Sequence, residues 1–111
     1  MINISIGKNV IEVTGHAGYA PAGQDIVCAS VSTLFYTLAQ NVRILECENK
    51  LIKSDIVLQE GYSRIKAEAL EKYENEVNLL FEYIKIGLQL LEHSYSSFVQ
   101  INNIEQEDIP S

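Results

Sequence analysis

Basic residues are scarce in this sequence. Eight Lys and Arg stand against fifteen Asp and Glu, for a formal charge of −7, whereas a nucleic-acid binder needs clustered cations on one face. No nucleic-acid partner is expected, and the acidic surface either keeps the chain dispersed or suits a basic partner. Long apolar runs are missing too. No uncharged apolar stretch reaches the roughly eighteen residues of a membrane span, and Met1-Ile2-Asn3-Ile4-Ser5 has neither the basic flank nor the apolar block of a secretory signal. No membrane association is expected, and the expected location is cytoplasmic. Cysteine is limited to Cys28 and Cys47, which read as free thiols in a reducing compartment. His16, Asp25, Cys28 and Cys47 contain no closely spaced cysteine pair of the kind structural zinc uses, so no metal is expected. Gly15, Gly18 and Gly23 are followed by no Lys-Ser/Thr, which excludes a phosphate loop, and no cofactor is expected.

What is present suffices for one domain over residues 1–111, since 47% of the chain is apolar and can fill a core. Ile2, Ile4 and Ile6 alternate with Asn3 and Ser5, and Val10-Ile11-Glu12-Val13-Thr14 follows Gly7-Lys8-Asn9, so the two runs predict a hairpin. Residues 17–24 lack periodicity and carry Gly18, Pro21 and Gly23, which makes them a loop. Asp25 stands at an N-cap position, ahead of Val27, Val31, Leu34, Leu38 and Val42 at helical spacing, and this helix is expected to end near Arg43 to Leu45. Lys50–Leu58 and Tyr62–Ala67 predict a second hairpin around Gln59-Glu60-Gly61. A long amphipathic helix is expected from Leu70 to Tyr95, with His93 solvated near its C-terminus and Gly87 marking a close packing contact. Ser96 to Asn102 reads as a short last strand, and Glu105-Gln106-Glu107-Asp108 as a frayed tail. The predicted fold is α+β: a two-layer sandwich of about five strands, in a mixed or antiparallel sheet, with two helices packed on one face.

The chemistry concentrates between Gly15 and Ser32. His16 is expected at a strand end and Cys28 in the first turn of a helix, where free N–H groups and the positive end of the dipole favour an anion. A thiol there, with an imidazole in reach, makes a nucleophile and base pair. The plain alternative is a buried cysteine and a surface histidine. Ser32 shares the Cys28 side of the helix one turn on, followed by Phe35 and Ala39. Main-chain N–H groups at the helix start are the expected oxyanion donors. Asp25 either braces the loop and helix start or orients His16.

Gly15-His16-Ala17, Gly23-x-Asp25-Ile26-Val27-Cys28-Ala29 and Val31-Ser32 together resemble the signature of the ribosomal-processing cysteine proteases called Prp. These small bacterial enzymes remove the N-terminal extension of the large-subunit ribosomal protein numbered twenty-seven. The resemblance implies Cys28 as nucleophile and His16 as base, with Asp25 and Ser32 as supporting polar residues. It also implies a homodimer, a peptide substrate, and a mobile substrate loop drawing on Gly15, Ala17, Gly18, Tyr19 and Gly23. The alternative function is a catalytically silent module that binds a peptide or a ribosome-assembly partner with the same cleft.

Overall fold

The structure, a computed structural model, describes residues 1–104. Strand β1 (Ile2–Gly7) turns at Lys8 and Asn9 into β2 (Val10–Gly15). Asn9 takes a φ of 55°, a left-handed value that asparagine tolerates, and its side-chain amide donates to the side-chain oxygen Oδ1 of Asn78 at 2.8 Å. Helix α1 (Ile26–Cys47) follows the loop, and then β3 (Leu51–Gln59) and β4 (Tyr62–Ala69) form the second hairpin around Gly61, whose φ is 78°. A short 3₁₀ turn, Glu71–Tyr73, leads into α2 (Glu74–Ser94), and β5 (Val99–Asn103) closes the described chain.

The sheet order is β3-β4-β2-β1-β5. All neighbours are antiparallel except β1 and β5, which run parallel. The expected mixed sheet of five strands under two helices is therefore the fold observed. Ile2, Ile4, Ile6, Ile11 and Ile65 face the helices, where they join Val27, Leu38 and Val42 of α1 and Val77, Phe81 and Leu88 of α2 in one buried cluster. Gly87 lets the helices meet, because a Cβ there would stand 3.1 Å from both Leu34 methyls. The packing contact expected at Gly87 is this one.

Several boundaries differ from expectation. Helix α1 runs to Cys47 rather than stopping near Leu45, because Leu45 is still a buried core residue and the helix ends in a Schellman motif beyond it. Asn49, at a φ of 59°, donates to the Glu46 carbonyl, and Lys50 donates to that of Leu45, both at 3.0 Å. Phe35 and Ala39 are buried as well, so the inward stripe of α1 is wider than its predicted five residues. Helix α2 starts at Glu74 and not at Leu70, whose N–H remains bonded to the Lys50 carbonyl at 3.0 Å. The outer face of α2 is not purely polar either: Leu79, Tyr83, Ile86 and Leu90 are exposed on it. The tail expected at Glu105-Gln106-Glu107-Asp108 lies outside the described residues.

Candidate active site

Strand β2 ends at Gly15, with a φ of 87°, where an added Cβ would stand 2.5 Å from the Met1 carbonyl oxygen. Only glycine fits that closeness. The Gly15 N–H donates to the Gly61 carbonyl at 3.0 Å, which ties the end of β2 to the β3–β4 turn. His16 follows, exposed, with its ring over that turn: Nε2 lies 3.4 Å from the point a Cβ would occupy on Gly61. Ala17 is buried, and its N–H donates to Cys28 Sγ at 3.4 Å. Cys28, the third residue of α1, is half-buried.

Asp25 holds this corner together. One carboxylate oxygen accepts the N–H groups of Val27 and Cys28 at 3.0 Å each, and the other accepts those of Tyr19 at 3.0 Å and Ala20 at 3.4 Å. The bond from the Cys28 N–H, seconded by those from Ala20 and Tyr19, holds the Asp25 carboxyl below its ordinary value against the opposing effect of desolvation. One consequence corrects the sequence reading. The helix-start N–H groups of Val27 and Cys28 are engaged by Asp25, so they do not stand free as oxyanion donors. The main-chain donor that does reach the sulfur comes from the loop, at Ala17.

His16 and Cys28 border one cleft of about 790 Å³. Of the other residues singled out in the sequence, Gly15, Gly18, Gly23, Asp25 and Ser32 line it as well. Ala17 and Tyr19 do not present side chains to it. Ala17 belongs to the core, and the Tyr19 ring packs edge-on against Tyr95 and Phe98, with centroids 5.8 and 5.1 Å away. That contact pulls Tyr19 toward the end of α2 and away from the cleft.

The opposite wall was not read from the sequence. It comes from Tyr36 of α1 and from the β3–β4 tip between Leu58 and Ser63, while Phe35, expected on the Cys28 side of α1, lines the cleft as well. The turn at Gly61 is legible as a turn; that it folds against His16 depends on β4 pairing with β2, Tyr62 opposite Thr14, which no local pattern announces. Tyr62, on the same wall, donates to Glu12 at 3.3 Å, and its hydroxyl is pushed up first by burial and then by the Glu12 charge, so it stays protonated at neutral pH.

Cys47 lies at the far end of α1, roughly 28 Å from Cys28 at 1.5 Å of rise per residue. It can neither pair with Cys28 nor complete a metal set with it. Among the described residues no three His, Cys, Asp or Glu side chains are placed to hold a metal ion, and no helix is long and apolar enough to cross a membrane.

The sequence profile of the cysteine protease Prp family matches residues 1–100. The chain belongs to that family. Among its relatives, the ribosomal processing cysteine protease Prp of Mycoplasma genitalium is 30% identical over 110 residues, covering 96% of this chain and 100% of the relative. The Bacillus subtilis protein of the same name is 30% identical over 92 residues, covering 81% and 80%. The fold is shared with a crystal structure of the essential ribosomal processing protease Prp from S. aureus in complex with a covalently linked product peptide, at a TM-score of 0.76 and 23% identity, covering 94% of this chain and 100% of that one. Membership makes the chain a cysteine protease. The likeness first visible between Gly15 and Ser32 thus extends through nearly all of the described residues, to the β3–β4 hairpin and α2.

Proposed function

We propose that this chain is a cysteine endopeptidase that removes the N-terminal extension of the bacterial large-subunit ribosomal protein numbered twenty-seven, with Cys28 as nucleophile and His16 as general base. The observation that carries the reading is the convergence of both side chains on one cleft, with the Ala17 N–H donating to the sulfur. In the proposed sequence the Cys28 thiol gives its proton to His16, and Sγ attacks the scissile carbonyl to form a tetrahedral oxyanion. Collapse breaks the C–N bond, the imidazolium protonates the leaving amine, and the acyl-enzyme is then hydrolysed by water with His16 again as base. Asp25, with main-chain donors on both oxygens, acts as the brace of loop and helix start. Ser32 supports the pocket one turn along from Cys28, and of the proposed substrate loop Gly18 and Gly23 line the cleft that admits the peptide, with Gly15 at its β2 end and Ala17 and Tyr19 as its anchors.

Two further parts of the reading concern setting and assembly. A ribosomal substrate places the enzyme in the cytoplasm. The exposed stripe Leu79, Tyr83, Ile86 and Leu90 on α2 supports a homodimer, since its four-three-four spacing suits helix against helix. Light scattering of the purified protein tests this, with Leu79→Glu plus Leu90→Glu expected to yield monomers.

The decisive experiment incubates the protein with the host's extended ribosomal protein and reads the new N-terminus by mass spectrometry. Cleavage by the wild type and none by Cys28→Ala or His16→Ala, both still folded, is expected; cleavage retained by Cys28→Ala refutes the assignment. Iodoacetamide adds an independent test. Cys47 is exposed and Cys28 half-buried, so accessibility alone makes Cys47 faster, and faster labelling at Cys28 reports an activated thiol.

A further inference from the structure

The cleft has a charge imbalance that the catalytic reading leaves unused. No Lys or Arg lines it, and its carboxylates are those of Asp25 and Glu60. Asp25 is occupied by four main-chain donors. Glu60 is different: its side chain has no ion-pair partner among the described residues, and it stands at the exposed tip of the β3–β4 hairpin. That tip is held in place, because the carbonyl of the next residue, Gly61, accepts the Gly15 N–H at 3.0 Å and Gly61 faces the His16 ring. Glu60 thus sits one residue, about 3.8 Å along the chain, from the glycine whose open Cβ side faces the imidazole. An unpaired carboxylate so near lies within a Debye length, roughly 8 Å at physiological salt, of a peptide bound at His16.

We infer that Glu60 is a specificity-determining residue, which selects peptides carrying a Lys or Arg side chain close to the scissile bond. This rests on the peptidase reading above and names the substrate class within it. The carboxylate is solvent-exposed, so the selection is modest: about three- to five-fold for a cation over its neutral isostere, the scale of an exposed ion pair. It weakens as salt is added.

The test uses peptides spanning the extension junction of the host ribosomal protein, in which each Lys or Arg is replaced in turn by Gln, and a lysine is placed in turn at each uncharged position. With the wild type, kcat/KM is expected to favour lysine at one position by about three- to five-fold. Glu60→Gln removes that preference, and Glu60→Lys reverses it in favour of a glutamate at the same position. Affinities of the same peptides for Cys28→Ala, with and without Glu60→Gln, give a readout that needs no turnover. If the wild type cleaves but no position prefers lysine, or if the preference survives Glu60→Gln, this inference is overturned and the peptidase reading stands. If nothing is cleaved while the affinity preference depends on Glu60, the peptidase reading fails and the recognition of a cationic side chain remains.

Discussion

The His16 Nε2 lies 3.4 Å from the point where a Cβ on Gly61 would stand. A methyl group fits there in ordinary contact, and a longer side chain must share that space with the imidazole or turn away from it. The glycine also has a φ of 78°, where an L-residue other than Asn or Asp is strained by roughly 1–2 kcal/mol.

Alanine and asparagine at position 61 therefore fail in opposite ways. Gly61→Ala is expected to lose about 1 kcal/mol of stability through its φ while keeping most of its peptidase activity. Gly61→Asn accepts the φ but carries its amide into the space of the imidazole, and kcat/KM is expected to fall about ten-fold, since reactive geometry is sensitive at the ångström scale. Thermal melts and peptide kinetics on the two variants check the crossing; if Asn proves the more active of the two, the contact does not position His16.

Replacing Asp25 removes the helix cap and the loop anchor together. Asp25→Ala is expected to lower Tm by roughly 5 °C and to loosen residues 17–24, read as faster amide exchange at Tyr19 and Ala20.

The same carboxylate sets an acid limit. Its pKa is lower in the folded chain than the ordinary 3.8, so the unfolded state takes up the proton first and stability falls as pH drops through the folded value. The stabilisation is fully present above about 3.8. Asp25→Asn, which cannot ionise, is expected to flatten this dependence below pH 4, as seen by acid titration of the circular dichroism signal.

At the helix crossing, Gly87→Ala gains about 1 kcal/mol of helix propensity and meets the Leu34 methyls at 3.1 Å. With Leu34 in place the two effects oppose each other. In a Leu34→Ala background the clash is gone, and Gly87→Ala is expected to stabilise by about 1 kcal/mol, giving a coupling of similar size in a double-mutant cycle. Additivity of the two substitutions would show that the helices do not meet there.

Tyr19→Ala separates the loop from Tyr95 and Phe98. Edge-on aromatic pairs contribute about 0.5–1.5 kcal/mol each beyond area burial, so a loss of about 1–2 kcal/mol is expected, with KM for peptide substrates changing more than kcat. An unchanged melting temperature would mean that the aromatic contact does not anchor the loop.

The sequence carried what is decided locally. Asp25 caps because a carboxylate beside a free helix end has few other places to put its oxygens, and Cys28 follows three residues later by counting. The hairpins and the glycine at the helix crossing were legible for the same reason. What stayed hidden depends on partners far along the chain: Gly61 meeting His16 through the β2–β4 ladder, and Tyr19 turned toward Tyr95 and Phe98 instead of the cleft. The engagement of the Val27 and Cys28 N–H groups followed from the cap itself and was missed, because one carboxylate cannot close a helix and leave its donors free. The apolar outer stripe of α2 was hidden by charged residues interleaved with it.

Strand β5 lies parallel to β1, with Val99 opposite Ile2 and the Ile2 N–H bonded to the Phe98 carbonyl at 2.8 Å. Ile2 also lines the cleft. One border of the cleft is thus secured by the last described strand, through a pairing between residues far apart along the chain, which carries a high loop-closure cost. The cleft is therefore a property of the completed sheet, shaped only once β1 and β5 have paired, and not of the His16–Cys28 segment alone.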